Sequence, residues 1–305
     1  MTTLEVTYEY PNLTSRRRLE SLVGIDEKRQ RLQKGLSIVL NPQSLNEWSQ
    51  QQHGKQILAL EAIANRPALF ILSGDVGVGK TALAESIGDA VAREEKMDVW
   101  LYRMSLASRG SGLVGEMTTL ISTAFTDVAA AAAKHKVNKG KNRGGCILLI
   151  DEADALVQSR ESAQMHHEDR AGVNAVIRGI DDVSARGLPM AVIMCTNRLS
   201  SVDPAVQRRA SDIIIFSRPG DEERRRMFTD AFSDVGFAAK QIGQLVKATG
   251  PRENGASYTF SDITQRIIPS IIIASYPKRP VTFDTALEII KSVEPTPMFK
   301  DSASD

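Results

Sequence analysis

The stretch GDVGVGKT (74–81) constrains this chain more than any other part of its sequence. It follows an apolar run, ALFILSG (68–74), that is typical of a buried strand, and it leads into TALAESIGDAVARE (81–94), which has helical periodicity. The glycines of the stretch let the backbone curl so that N–H groups converge on an anion, and the start of the helix adds positive potential. The sequence therefore predicts a phosphate-binding loop between a strand and a helix.

Each part of this loop has an expected role at a nucleoside triphosphate. Lys80 is expected to contact the β- and γ-phosphates, and the hydroxyl of Thr81 to bind Mg²⁺. The other contacts are expected from backbone N–H groups that face the phosphates. The residues predicted to contact ATP are Asp75, Val76, Gly77, Val78, Gly79, Lys80, Thr81 and Ala82.

Apolar runs and helical patterns alternate along the chain. Continuous apolar strands separated by helices indicate an α/β fold with a parallel sheet covered on both faces. Only helical patterns remain after residue 220. Strands are predicted at 68–74, 98–105, 146–151, 190–197 and 211–217, and helices at 54–66, 81–94, 117–135 and 170–183. The predicted domains are a short N-terminal arm (1–20) with a small strand in LEVTYEY, a large α/β domain (21–219), a helical domain (220–295) and a disordered tail (296–305).

Acidic residues end the third predicted strand, in CILLIDEAD. Asp151 is expected to hold Mg²⁺ through water, and Glu152 to act as general base toward the attacking water. The next strand ends at Asn197, whose amide can orient that water or contact the γ-phosphate. These residues predict hydrolysis of the bound nucleotide.

Two arginines, Arg208 and Arg209, lie just before the last predicted strand, in VDPAVQRRASD. We interpret them as candidates for an arginine finger, which reaches the γ-phosphate bound to a neighbouring subunit and stabilises charge in the transition state. That role requires an oligomer. The sequence leaves open which of the two is the finger.

Composition narrows the class of protein. The 305 residues are 42% hydrophobic, which supports a core, and the net charge of +1 argues against a surface that tracks a nucleic-acid backbone. The two cysteines, Cys146 and Cys195, lie in apolar runs and are expected to be buried free thiols. No run approaches the roughly 20 apolar residues of a membrane helix. We expect a cytoplasmic protein without a membrane partner.

The phosphate-binding loop, the acidic strand end, Asn197 and the arginine pair, followed by a helical domain, resemble the AAA+ ATPases from about residue 22 onward. The resemblance implies a P-loop large domain with a parallel five-stranded sheet of order 5-1-4-3-2 and a small helical lid domain. LVGID (22–26) is similar to the family's adenine-contacting segment, near Gly24 and Ile25. The family's lid arginine is not assigned, because Ser261 aligns with it and Arg266 only lies nearby.

The stretch SGLVGEM (111–117) places two apolar residues between glycines in a polar neighbourhood. In protein-remodelling AAA+ ATPases, a loop at this place carries an aromatic–hydrophobic–Gly triplet that lines a hexamer pore and grips an extended polypeptide. Leu113, Val114 and Gly115 occupy that position, so the resemblance implies a purely apolar grip. Packing against a neighbouring element is the alternative. The polar stretch 159–169 is a candidate second pore loop.

The segments VNAVIRGID (173–181) and TNRLSSVDPAVQRRASD (196–212) are similar to the pachytene-checkpoint-type remodellers of HORMA-domain proteins. The short arm makes the chain similar to their compact bacterial form, which is associated with HORMA proteins and nucleotidyltransferases in antiphage defence. The resemblance implies a homo-hexamer that uses ATP to pull on a flexible segment of a HORMA-domain protein and disassemble its complexes.

Two other functions stay open at this point. The basic stretch KHKVNKGKNR (134–143) would suit a nucleic-acid loader or initiator, although such a charge run is usually a solvated loop. The second is a non-motor switch, in which ATP controls assembly alone. Glu152 argues against a pure switch, since a switch gains little from a catalytic base.

Overall fold

A computed structural model describes residues 4, 6–64, 66–105, 116–154, 167–251 and 256–298. The described chain divides into two units. Unit 1 contains the segments up to residue 21, 27–73 and 81–215, and unit 2 contains 22–26, 74–80 and the segment from 216 onward.

Among the described residues, the strands are β1 (Val6–Tyr10), β2 (Leu69–Gly74), β3 (Asp98–Ser105), β4 (Gly144–Asp151), β5 (Met190–Thr196) and β6 (Ala210–Phe216). They form one six-stranded sheet in the order β1-β3-β4-β5-β2-β6. Parallel pairs join β2 to β5, β3 to β4 and β4 to β5, whereas β1 runs antiparallel to β3. The predicted order of the five core strands is confirmed. The sheet has one strand more than the five expected, because the N-terminal strand β1 pairs with β3 at the edge.

Helices cover this sheet, as expected for parallel strands that are apolar throughout. Every residue of the central strands β4 and β5 is buried. Against them pack Ile121 and Phe125 of helix α6 (Glu116–Ala133) and Val176 and Ile180 of helix α7 (His167–Ala185). The helices with most of their residues in unit 1 are α1 (Leu13–Ser21), α2 (Asp26–Leu40), α3 (Pro42–His53), α4 (Ala59–Ala64), α5 (Lys80–Glu95), α6 (Glu116–Ala133), α7 (His167–Ala185) and α8 (Pro204–Gln207).

The prediction of a helix over 54–66 was wrong about where the helix begins. Gly54 adopts a left-handed φ of 67° and its N–H bonds to the carbonyl of Gln50, so it ends α3 instead of starting a helix. Helix α4 begins only at Ala59. The sequence did not predict α3, because its glutamines, serines and asparagine carry no apolar periodicity.

Both cysteines are free and buried in unit 1, as predicted. Burial raises the pKa of the Cys146 thiol to about 12, because the thiolate would lose its hydration. The thiol is therefore protonated and unreactive at neutral pH.

Unit 2 contains the helical part predicted after residue 220. Its core is built around Phe228, Phe232 and Tyr258, all fully buried. The hydroxyl of Tyr258 donates to the carbonyl of Ile290 at 2.8 Å and also to that of Val293, so it fixes the end of the last helix. The elements are α9 (Asp221–Phe232), α10 (Ala239–Ala248), a π-helical turn (Asp262–Ile267), α11 (Ile268–Ser275) and α12 (Phe283–Ser292).

The N-terminal segment, predicted as a short arm, lies across helix α5 within unit 1. The hydroxyl of Tyr10 donates to the carbonyl of Glu85, and the N–H of Asn12 donates to Asp89 at 2.7 Å. The ring of Tyr10 rests on Gly88, where an added Cβ would lie 2.4 Å from ring atom Cε2. A glycine is needed here because the two elements approach so closely.

Nowhere in the described ranges is a helix both long enough and apolar enough to pass through a membrane.

We expect Gly88→Ala to lower the free energy of unfolding by about 1–3 kcal/mol. The clash with Tyr10 should outweigh the roughly 0.5–1 kcal/mol that alanine contributes to a helix. Urea unfolding of the two chains measures the difference. In a Tyr10→Ala background the same substitution should no longer destabilise. An equal loss in both backgrounds would show that contact with Tyr10 is not the cause.

Candidate functional site

Three core strands of the sheet bring the predicted site residues to one edge. Ser73, the last residue before the glycine-rich loop, pairs with Thr196 of β5, and Ile150 of β4 pairs with Met194. Asp151 directly follows Ile150 and Asn197 directly follows Thr196. Both therefore lie at the carboxyl-terminal edge of the sheet, called the carboxyl edge below. Ligands of open parallel sheets bind outside this edge.

The glycine-rich loop is curled as predicted. Gly77 and Gly79 have φ values of 75° and 97°, a region that side chains disfavour. The ammonium of Lys80 donates to the carbonyls of Gly74 and Asp75, both at 2.8 Å, and the residue is only 7% exposed. The loop therefore surrounds a buried cation and runs directly into the N-terminus of α5, an arrangement suited to phosphates.

Within unit 2 this loop touches the helical part closely. The N–H of Ser261 donates to the carbonyl of Gly77 at 3.0 Å. A Cβ at Gly77 would lie 2.8 Å from the hydroxyl oxygen of Thr259 and 3.0 Å from Cβ of Ser261. Ser261, at the position of the unassigned lid arginine, thus contacts the loop through its backbone.

In unit 1 the hydroxyl of Thr81 donates to Oδ1 of Asp151 at 3.2 Å. The N–H of Glu152 donates to the same oxygen at 3.1 Å. A hydroxyl beside a carboxylate is a pair of hard oxygen ligands, which suits Mg²⁺ when substrate phosphates complete its coordination. The predicted metal residues are therefore together and chemically suited to that ion.

A cation that no sequence motif predicted lies beside this pair. Nη2 of Arg103, on β3, donates to Oδ2 of Asp151 at 2.7 Å, while its Nη1 donates to Glu85 at 2.6 Å. The other oxygen of Glu85 accepts from Arg18 at 2.6 Å. Arg103 thus holds the second oxygen of Asp151. Arg103 belongs to no sequence motif. The one signal that could have indicated a role is a charged residue within a mostly apolar strand.

Glu152 has a left-handed backbone, with φ of 55°. Such a conformation costs a residue with a side chain on the order of 1–3 kcal/mol and is found at functional sites. Buried β4 before it and the hydrogen bond from its N–H to Asp151 hold the turn. The side chain of Glu152 is exposed at the carboxyl edge, where a general base could reach a water molecule.

Asn197 is oriented by another residue of the same acidic stretch. Its N–H and its side-chain Nδ2 donate to the two oxygens of Asp154, at 3.2 and 3.3 Å. Because the amide nitrogen donates to Asp154, the side chain of Asn197 is held in one orientation at this edge. Asp154 is a second positioning residue that the sequence did not single out.

The arginine pair divides into one bound and one exposed side chain. Arg209 forms a two-point contact with Asp181, at 2.7 and 3.0 Å, and also donates to the carbonyl of Ala205. Arg208 is exposed at the end of α8. The predicted residues therefore differ in how far they can reach a neighbouring molecule.

The remaining candidates, Gly24, Ile25 and Arg266, lie in unit 2. Gly24 has φ of 72°, and Ile25 is buried. Arg266 donates to Oδ1 of the buried Asp262 at 2.7 Å and to the carbonyl of Glu294 at 3.1 Å, so it ties the lid helices to the end of the chain. The predicted pore-loop residues Leu113, Val114 and Gly115, and most of the stretch 159–169, lie outside the described residues.

Asp262 is held as an anion within unit 2. Burial by itself would raise its pKa, but hydrogen bonds from Thr259, Thr296 and Arg266 outweigh burial and lower the pKa of the carboxyl below its usual range. Both of its oxygens accept two hydrogen bonds.

Comparisons with known proteins agree with this geometry. The family model described as ATPase family associated with various cellular activities (AAA) matches residues 70–218, from β2 to just beyond β6. CD-NTase-associated protein 6 of Escherichia coli strain MS 115-1 is 53% identical over 293 residues, which cover 96% of this chain and 94% of that protein.

Two solved structures are also similar. One chain in the structure of the E. coli MS115-1 HORMA:CdnC:Trip13 complex is 50% identical, with a TM-score of 0.89 and 98% of both chains covered. The structure of a Rhizobiales Trip13 is 43% identical, with a TM-score of 0.74, covering 95% of this chain and 97% of that one. Likeness over nearly the full length of these chains includes the helical part as well as the sheet.

We expect Asp262→Asn to lower the free energy of unfolding by at least about 2 kcal/mol at neutral pH, because it removes charge-assisted hydrogen bonds. The folded state lowers the pKa of Asp262, so its stabilisation is complete above about pH 4 and is lost as the pH falls through the lowered pKa. Thermal melts across the acid range should show the difference between the two chains shrinking below about pH 4. The exposed Asp230→Asn is the control, and a pH-independent difference would contradict this role.

Proposed function

The chain belongs to the AAA family of ATPases, in the group of CD-NTase-associated protein 6, and we propose from this that it hydrolyses ATP to disassemble complexes of a HORMA-domain protein. The observation that carries the proposal is the contact between Thr81 and Asp151, directly after a curled loop with a buried lysine. That arrangement suits a nucleoside triphosphate with its magnesium ion.

ATP would be held by the phosphate-binding loop and by the earlier segment that contains Gly24 and Ile25. The N–H groups of residues 75–82 would face the phosphates, Lys80 would exchange its loop carbonyls for phosphate oxygens, and Gly24 and Ile25 would lie against adenine. Support for the phosphate contacts comes from the positive φ values of the loop and from the burial of Lys80. When bound, Mg²⁺ neutralises charge on the phosphates, and Thr81 and Asp151 would be the protein residues that hold it.

Hydrolysis would depend on three side chains at the carboxyl edge. Glu152 would take a proton from the attacking water, and its strained backbone holds the side chain at that edge. Asn197, oriented by Asp154, would accept a hydrogen bond from the same water through its amide oxygen. Arg103 would keep one oxygen of Asp151 turned toward Thr81 by holding the other.

We assign the arginine finger to Arg208. Its side chain is exposed and extends from the end of α8, whereas the two-point contact with Asp181 retains Arg209 in its own subunit. Through its contact with Asp181, Arg209 would stabilise the turn from which Arg208 reaches the neighbouring subunit. A finger supplied by a neighbour requires a ring, and a homo-hexamer is the expected assembly.

The partner is inferred from the relatives. A similar chain was solved in a complex named HORMA:CdnC:Trip13, and the similar E. coli protein is named for its association with a CD-NTase. We therefore propose a HORMA-domain protein as substrate, together with a nucleotidyltransferase of antiphage defence. Leu113, Val114 and Gly115 would grip the substrate in the pore. The two buried free thiols fit the cytoplasm, where we place the protein.

The basic stretch 134–143 offers less support for a nucleic-acid function. Lys136 donates to the carbonyl of Arg186 at 2.6 Å, and Lys141 pairs with Glu47 at 3.1 Å. Part of its charge is thus engaged within the chain. Protein remodelling is the function that the site and the relatives favour together.

The variant Glu152→Gln should bind ATP without hydrolysing it, because the attacking water loses its base. Recovered from its native host in the presence of ATP, it should retain a HORMA-domain protein, identified by mass spectrometry. Lys80→Ala in the same background is the matched control and should release the partner, since it lacks the phosphate contact. Leu113→Ala should release the partner while ATP binding stays intact. Recovery of nucleic acid, or of no protein, would contradict the proposal.

Arg208→Ala should lower kcat for ATP hydrolysis by about 10³-fold while ATP still binds, because the transition-state charge is left without its cation. Mixing this chain with Lys80→Ala chains should restore part of the activity, since the latter supply an intact Arg208 to their neighbours. Arg209→Ala should retain more activity than Arg208→Ala. Steady-state phosphate release measures all three. A more severe defect in Arg209→Ala, or no recovery on mixing, would overturn the assignment.

A further inference from the structure

Arg218, just after β6, uses its whole guanidinium in hydrogen bonds inside unit 2. Nε and Nη2 both donate to Oδ2 of Asp75, with Nε at 2.8 Å. Nη1 donates to the carbonyls of Ser257 and of Thr296, the latter at 2.8 Å, and Nη2 also donates to the carbonyl of Pro297 at 3.0 Å. An arginine has five N–H donors, and these contacts engage all of them.

The acceptors belong to three regions far apart in sequence, at residue 75, at residue 257 and at residues 296–297. Asp75 is in the phosphate-binding loop, and its other oxygen, Oδ1, accepts from the N–H of Val76 at 2.9 Å, so its carboxylate shapes the loop itself. Thr296 and Pro297 follow the last helix. The side chains of Arg218 and Asp75 are only 9% and 15% exposed, so water screens this ion pair little.

Residues 296 and 297, which the sequence assigned to a disordered tail, are themselves fixed. The N–H and the hydroxyl of Thr296 donate to the two oxygens of Asp262, at 3.0 and 2.8 Å. Arg266 donates to the carbonyl of Glu294 in the same stretch. The segment 294–297 therefore offers Arg218 two carbonyls whose positions are set by the buried Asp262.

We infer that Arg218 is a positioning residue for the phosphate-binding loop and that it makes the shape of this loop depend on residues 294–297. The inference rests on the proposed function, in which the loop binds ATP. Arg218 holds the side chain of Asp75, and Lys80 holds the carbonyl of Asp75, so this residue is fixed on both sides. Loss of the C-terminal carbonyls leaves buried N–H groups of Arg218 without acceptors and loosens the loop at its first turn.

The test compares the native chain with Arg218→Gln, with a chain ending at Val293, and with a chain ending at Met298 as the matched control. Amide hydrogen exchange without nucleotide should be faster across residues 74–80 in the first two and unchanged in the control. A fluorescent ADP analogue should bind the first two about tenfold more weakly. KM for ATP should rise by a similar factor, while kcat at saturating ATP changes less than about twofold.

A second variant distinguishes loss of the contact between Arg218 and Asp75 from a general loss of folding. Asp75→Asn keeps the backbone contacts of Arg218 and should reproduce the faster exchange of the loop and the weaker ADP binding. Native-like exchange and affinity in Arg218→Gln, or in the chain ending at Val293, would overturn the inference. Failure of the native chain to bind the ADP analogue would instead refute the proposed function, so the two failures are distinguishable.

Discussion

The carboxylate of Asp151 is the group on which the proposed catalytic site depends. One oxygen accepts from Thr81 and from the N–H of Glu152, and the other is held by Arg103. These bonds fix the side chain and stabilise the turn in which Glu152 adopts its unfavourable backbone. Asp151 lies at the carboxyl edge because it is the last residue of β4. The strand is buried along its whole length, and its one charged residue is at its carboxyl-terminal end, where ligands of parallel sheets bind.

Unit 2 uses buried charge in a comparable way. Asp262 accepts hydrogen bonds from two backbone and two side-chain donors, and Arg218 donates to four residues. A buried charge is tolerable only when its partners satisfy it, so each of these groups specifies the positions of all its partners. These contacts connect the lid helices, the last described residues and the phosphate-binding loop within unit 2.

Local patterns in the sequence were sufficient to predict the five core strands, the helices between them and the glycine-rich loop. The features that the sequence did not predict depend on contacts between residues that are far apart in the chain. Arg103, Glu85 and Arg18 lie in separate elements, and only the fold brings them together. The contact between Ser261 and the loop could not be predicted, because it is made by the backbone N–H of Ser261, which no side-chain pattern reports. Helix α3 escaped prediction because it buries little apolar surface.

The most direct test of the account follows one complex through one round of hydrolysis. A HORMA-domain protein and its nucleotidyltransferase, each carrying one dye of an energy-transfer pair, would be mixed with the native chain. Energy transfer should fall when ATP and Mg²⁺ are added and should persist with a non-hydrolysable ATP analogue. Transfer that persists with ATP, or that falls equally with the analogue, would contradict a remodeller driven by hydrolysis.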